Sequence, residues 1–155
     1  LHTPTRRQRQ MCIRDRQLTA SVGLLDAEFE DYVNGSGEDL DGRDQAQAPG
    51  YQFYLAADYR FTQALGLNIS IEGKDDYYFS DGHAEQSPSY ALFNSALRYS
   101  RDNWELSLWG RNLGDKDYFV RGFSFPNDPR DGYTATRWTQ LGAPRQFGMT
   151  AKTSF

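Results

Sequence analysis

The sequence predicts an all-β chain, an antiparallel up-and-down meander of about six strands. Three observations lead there. Polarity alternates with period two, connections alternate between short and long, and aromatic residues gather at strand ends.

The strands follow in chain order. The first, near residues 17–32 (LTASVGLLDAEFEDY), alternates but slips phase at Leu24-Leu25, which predicts a bulge. In the second, near 50–61, Tyr51, Phe53, Leu55, Ala57, Tyr59 and Phe61 share a face against Gln52, Tyr54, Ala56, Asp58 and Arg60. In the third, near 66–78, Leu67, Ile69, Ile71 and Gly73 oppose Asn68, Ser70, Glu72 and Lys74. The fourth, near 89–100, sets Ala91, Phe93, Ser95, Leu97 and Tyr99 against Asn94, Ala96 and Arg98. The fifth, near 103–113, sets Trp104, Leu106, Leu108 and Gly110 against Glu105, Ser107, Trp109 and Arg111. The last, near 144–155, sets Phe147, Met149, Ala151, Thr153 and Phe155 against Gln146, Gly148, Thr150, Lys152 and Ser154.

In the five clean strands the apolar faces carry no charge. The polar faces carry Asp58, Arg60, Glu72, Lys74, Arg98, Glu105, Arg111 and Lys152. A soluble sandwich alternates as well, so two further features decide. The short connections, 62–65 and 100–103, fall on one side of the meander. The long ones, 33–49, roughly 79–89 and 114–143, fall on the other, as in membrane barrels. Phe61, Tyr99, Trp104 and Phe155 stand at the short-turn end, and Tyr51, Tyr77 and Tyr90 near the other, like two interfacial girdles. Six strands leave two open edges, and unpaired backbone in hydrocarbon costs several kcal/mol per group. The sheet is therefore expected to be an open segment of a larger transmembrane β-barrel.

The formal net charge is −4. Residues 1–16 hold five of the 17 basic residues and one of the 21 acidic ones, Asp15, so the rest of the chain has a net of −8. That balance argues against nucleic acid as a partner. The basic head, RRQRQMCIRDR, has no apolar core and no small-residue cleavage site of a signal peptide. Its codons can be read as the transposon end of a common DNA-sequencing adapter. Residues 1–16 are therefore expected to be a non-native segment, with Cys12 and His2 outside any metal or redox argument, and residues 17–155 the authentic part.

No enzyme signature is present: no G-x-S-x-G, no HExxH, no phosphate-binding glycine loop. No cofactor is implied. Asp39, Asp41 and Asp44 in EDLDGRDQ offer hard oxygen donors without the spacing or the distal Glu of a calcium loop. They read as a solvated acidic loop. His83 alone makes no metal site.

Three stretches resemble the C-terminal end of TonB-dependent outer-membrane receptors. They are WELSLWGRNLGDKDYFVRGF, with NL-x-D-x-x-Y at Asn112, Leu113, Asp115 and Tyr118; SYALFNSALRY, with Asn94 midway; and GAPRQFGMTAKTSF. The resemblance spans roughly Leu18 to Phe155. It implies the last six strands of a barrel of ~22 with a plugged lumen, in the bacterial outer membrane. It implies active uptake of a scarce small molecule, most often a ferric siderophore, energised by the TonB complex through an N-terminal part not in this sequence. It gives Phe147 and Phe155 to the signal read by the barrel-assembly machinery, and sets lipid around the wall. Asn112, Leu113, Asp115 and Tyr118 are expected to fix the strand exit. Arg121, Tyr133 and Trp138 in the longest loop are candidate ligand contacts, against a reading of interstrand packing. The rival readings are a small outer-membrane structural or adhesive barrel, and a soluble carbohydrate-binding β-domain that buries Trp104, Leu106 and Leu108.

Overall fold

The computed structural model describes residues 5–13 and 15–154. Its strands in chain order are β1 (Thr5–Ile13), β2 (Arg16–Leu24), β3 (Tyr51–Arg60), β4 (Leu65–Lys74), β5 (Tyr77–Tyr78), β6 (Gln86–Ser87), β7 (Tyr90–Arg101), β8 (Trp104–Arg111), β9 (Phe119–Phe125), β10 (Thr136–Leu141) and β11 (Gln146–Thr153). The main sheet is an antiparallel meander in the order β1-β2-β3-β4-β7-β8-β11. Strands β9 and β10 form one separate hairpin, and β5 and β6 another. Six of the seven main strands are those the alternation predicts.

The register explains why one face is apolar. Leu18, Ala57, Ile69, Ser95, Gly110 and Phe147 stand in one row across β2, β3, β4, β7, β8 and β11. A second row runs Tyr59, Leu67, Leu97, Leu108 and Met149. A one-residue slip in any strand would carry polar or charged residues into these rows, so alternation and register specify each other. The opposite face carries Asp58 beside Asn68 and Arg98 beside Ser107 in the same way.

Neither face of this sheet is a core. Trp104, Leu106 and Leu108 are 61%, 39% and 50% exposed. This contradicts the soluble β-domain, which needs all three buried. The buried apolar side chains among the described residues are Leu40, Tyr77, Phe79 and Leu92. Three of them sit in the long connections, not in the wall.

Three details differ from the sequence reading. The first strand does not run on to residue 32; it ends at Leu24. Leu25 still donates its N–H to Gly50 O at 3.0 Å, but beyond it Phe29 bonds Arg43 and Gln45 bonds Ala27. The chain there pairs back on itself, so the slip at Leu24-Leu25 marks an exit from the ladder and not a bulge within it. Tyr77 is not a girdle residue: it is buried, and its hydroxyl donates to Phe119 O at 3.3 Å. Tyr90 pairs with Lys74 and shares a row with Gln52, on the polar face. Tyr51, opposite Leu24, does keep its place on the apolar face.

The 114–143 connection is more ordered than a plain loop. Besides β9 and β10 it holds a 3-10 turn, Pro129–Asp131, capped by Asp128 and closed by Gly132 at φ 72°.

A recess and a clasp at the long-loop end form the candidate functional site

The motif Asn112-Leu113-x-Asp115-x-x-Tyr118 follows β8 directly. Asn112 adopts φ 48°, the left-handed region that Asn tolerates better than most residues. It is buried. Its side chain donates to Lys116 O at 2.9 Å and Ala143 O at 3.1 Å, and accepts from Lys116 N–H at 2.9 Å. Its own N–H donates to Asn94 Oδ1 at 3.0 Å. Leu113 N–H reaches Phe93 O at 2.8 Å. Asp115 Oδ1 accepts the Arg145 N–H at 3.0 Å, and the two side chains form an ion pair at 3.3 Å. Tyr118 lays its ring over Gly142, where any β-carbon would collide with it, and packs on Tyr90 with centroids 4.6 Å apart. The motif thus clasps the ends of β7, β8 and β11.

Beside the clasp the polar face of the sheet opens a recess of about 760 Å³. Gln52, Tyr54, Glu72, Lys74 and Tyr90 line it from the wall, and Tyr118 and Val120 from the long connection. Lys74 Nζ stands 4.2 Å from the centroid of the Tyr77 ring. Glu72 accepts from Asn94 at 3.3 Å. The mixture of phenols, one ammonium, one carboxylate and an amide can hold a polar or aromatic small molecule by hydrogen bonds and stacking. Tyr90 and Lys74 were legible as recess residues from parity alone, since both fall in phase with Gln52 and Glu72. Proximity to the strand end drew Tyr90 to the girdle instead.

The long-loop residues singled out in the sequence lie elsewhere. Trp138 pairs with Phe123, and Arg121 with Gln140, so Arg121 and Trp138 share one face of the β9–β10 hairpin. Arg121 lies 5.9 Å from the Phe123 centroid. Tyr133 sits in the turn, exposed, at φ 62°. None of the three lines the recess. Phe147 is on the apolar face, beside Gly110. Phe155 lies outside the described residues. Asp39 and Asp41 spend carboxylate oxygens on the N–H groups of Asp41 and Asp31 at 3.0 and 3.1 Å.

At the short-turn end a second recess, about 920 Å³, is lined by Asp58, Arg60, Asn68, Arg98 and Glu105 on the same polar face. Asn68 donates to Asp58 at 2.9 Å, and Glu105 lies 3.8 Å from both Arg98 and Lys152.

A wall with one face apolar between its ends across β3, β4, β7, β8 and β11, one charged face and no interior is a piece of a transmembrane β-barrel. The family described as TonB dependent receptor-like, beta-barrel matches residues 15–113, and the chain belongs to it. Two solved structures share the fold. The siderophore receptor PiuA from Acinetobacter baumannii superposes with a TM-score of 0.67 at 20% identity, covering 90% of this chain and 19% of that one. The ferric-catecholate import receptor Fiu from K12 E. coli, in its closed form, gives 0.64 at 20% identity, covering 92% and 19%. The chain thus spans about a fifth of either relative.

Proposed function

We propose that this chain is the C-terminal wall of an outer-membrane receptor that takes up a small molecule, a ferric siderophore or similar iron chelate, at the expense of energy delivered through TonB. The observation that carries the reading is the registered apolar face: across five strands the one charge in rows that would meet lipid is Arg101, in the terminal row beside Trp104. The relatives supply the ligand class, since one is a siderophore receptor and the other imports ferric catecholate. The apolar rows meet outer-membrane lipid, and the charged recess at the short-turn end faces a lumenal plug. The TonB complex acts through the part of the receptor that precedes this segment. The last strand, with Phe147 and Phe155, engages the barrel-assembly machinery. Arg121, Tyr133 and Trp138 stand as loop contacts for incoming ligand, and the recess under Tyr118 as the inner one.

The test is uptake of iron-loaded chelate by cells that carry the full-length receptor. TonB-dependent uptake supports the reading. A receptor that reaches the outer membrane but takes up no iron chelate, with or without TonB, removes the transport claim and leaves a structural barrel. A water-soluble monomer removes both.

A second proposal concerns residues 1–16. The family match begins at residue 15. In the register of β1, Arg7 stands opposite Val22 and Arg9 opposite Ala20, in rows continued by Phe53 and Leu55. Both facts favour a foreign head on the receptor sequence. Long-read sequencing of the source DNA across the Arg16/Gln17 junction decides it.

A further inference from the structure

Three connections meet at the long-loop end, where one of them lines the upper recess through Tyr118 and Val120, and they grip one another through a single turn. This turn, residues 80–85, joins β5 to β6. From the 25–50 connection, Arg43 reaches across and donates through one terminal nitrogen to Ser80 O and His83 O, both at 2.8 Å. Its guanidinium carbon lies 3.9 Å from the Tyr78 ring centroid. Tyr32 donates to Asp81 Oδ2 at 3.0 Å, and Asn34 to Asp81 O at 3.1 Å. Gln47 adds its N–H to Tyr78 O at 2.8 Å. From the 112–145 connection, Arg137 forms an ion pair with Glu85. Phe79 covers Gly122 of β9 closely enough that a β-carbon there would collide with the ring. Ser87 and Tyr77 both donate to Phe119 O at 3.3 Å.

Arg43 is the unusual member of this set. Its Nε is buried with no partner among the described residues. A guanidinium taken out of water is costly unless its remaining donors and its π face are matched. Here two carbonyls of one turn and one aromatic ring do the matching. A lysine could offer one nitrogen to both carbonyls, but its ammonium is a point charge on a flexible stem with no planar face to lay on Tyr78.

We propose that Arg43 is a positioning residue that pins the 80–85 turn and, through Glu85 and Phe79, the β9–β10 hairpin, so that the three connections at the long-loop end, including the one that lines the recess, open and close as one body. The consequence for ligand entry rests on the receptor reading; the coupling among the connections does not. A single body admits ligand by a concerted displacement. Independent loops would admit it by local opening of any one of them.

Amide hydrogen exchange on the full-length receptor in detergent micelles separates the two. Arg43→Lys keeps the charge and loses the planar group that lies on Tyr78 and spans to the turn. It is expected to speed exchange about tenfold or more in residues 79–86 and also in β9 and β10, which Arg43 does not touch, while β3 and β4 stay unchanged. Faster exchange confined to residues 43 and 79–86 overturns the proposal. A second variant, Glu85→Gln, approaches from the far side with Arg43 intact. In its background Arg43→Lys should add less to β9–β10 exchange than it does alone. Fully additive effects overturn the coupling. Uptake of iron chelate is read separately on the wild-type receptor. Its failure sinks the receptor reading and leaves the exchange result intact.

Discussion

Asn112 and Asn94 are joined by one bond: the backbone N–H of the first meets Oδ1 of the second at 3.0 Å. Asn94 stands in β7 and Asn112 just past the end of β8, so the bond fastens the last rung of that ladder. The side chain of Asn112 then ties Lys116 and Ala143. Asn112→Ala removes three side-chain hydrogen bonds at a buried site and should cost about 2–4 kcal/mol. Asn94→Ala should cost about 1 kcal/mol, because it orphans a single N–H. Urea unfolding of the receptor in micelles, followed by the gel-mobility difference between folded and unfolded barrel, measures both. Equal and negligible losses would remove the clasp from the account.

Tyr118 and Gly142 test the second half of the motif. The Tyr118 ring occupies the space a β-carbon at position 142 would need. Gly142→Ala should therefore destabilise by about 1–3 kcal/mol through overpacking. Paired with Tyr118→Leu, the same substitution should cost clearly less, since the ring that it strikes is gone. A double-mutant cycle on the same unfolding assay gives the coupling directly. Additive losses would mean that the ring and the glycine are independent.

How far the sequence led can be judged from these residues. Parity placed Leu67, Leu97, Leu108 and Met149 on one face, and the ladder then set them in one row. Alternation is a strictly local signal, so a strand reveals its faces without its partners. Tyr90 belongs to the polar face by parity although it lies at a strand end, whereas Tyr77 has the apolar parity but stands beyond the end of β4, in β5. The meeting of Asn94 with Asn112 was quoted as two separate motif positions, and nothing in their spacing says that they touch. The burial of Leu40, Tyr77 and Phe79 is illegible for a related reason: they stand in two connections with no periodicity of their own. Strand β2 was overrun because residues 25–32 alternate too, but there they pair within their own connection.

The loop body should respond to pH through Tyr32 and Asp81. The bond from Tyr32, more than any other influence, holds the Asp81 carboxyl below its ordinary range, and the same bond holds the Tyr32 hydroxyl above its own. A depressed acid stabilises the fold above its unfolded pKa and loses that contribution as pH falls through the folded value. A raised phenol stabilises below its unfolded pKa and loses that contribution as pH climbs through the folded value. The contact is thus intact across the neutral range and weakens at both extremes. Limited proteolysis of the 25–50 connection as a function of pH should show protection that fades on the acid side below the usual carboxylate range. In Tyr32→Phe the acid flank should shift toward the ordinary carboxylate value. An unchanged acid flank in that variant would mean that Asp81 is not the titrating group.

The membrane reading makes its sharpest claim about neighbours in one strand. Leu108 lies mid-band in the row of Tyr59, Leu67, Leu97 and Met149, whereas Ser107 faces the charged side, opposite Arg98. Leu108→Arg should destabilise the barrel by about 2–4 kcal/mol, and Trp104→Arg, at the girdle, by about 0–1 kcal/mol. Ser107→Arg avoids the lipid altogether. Its penalty is repulsion from Arg98, which Glu105, 3.8 Å from Arg98, partly offsets. The order Leu108, then Ser107 and Trp104, follows only if the apolar rows meet hydrocarbon. A face packed against protein would give Trp104→Arg a loss as large as Leu108→Arg, because aromatic burial would then dominate. A face bathed in water would give three small and similar values. Urea midpoints for the three variants in lipid vesicles separate these cases.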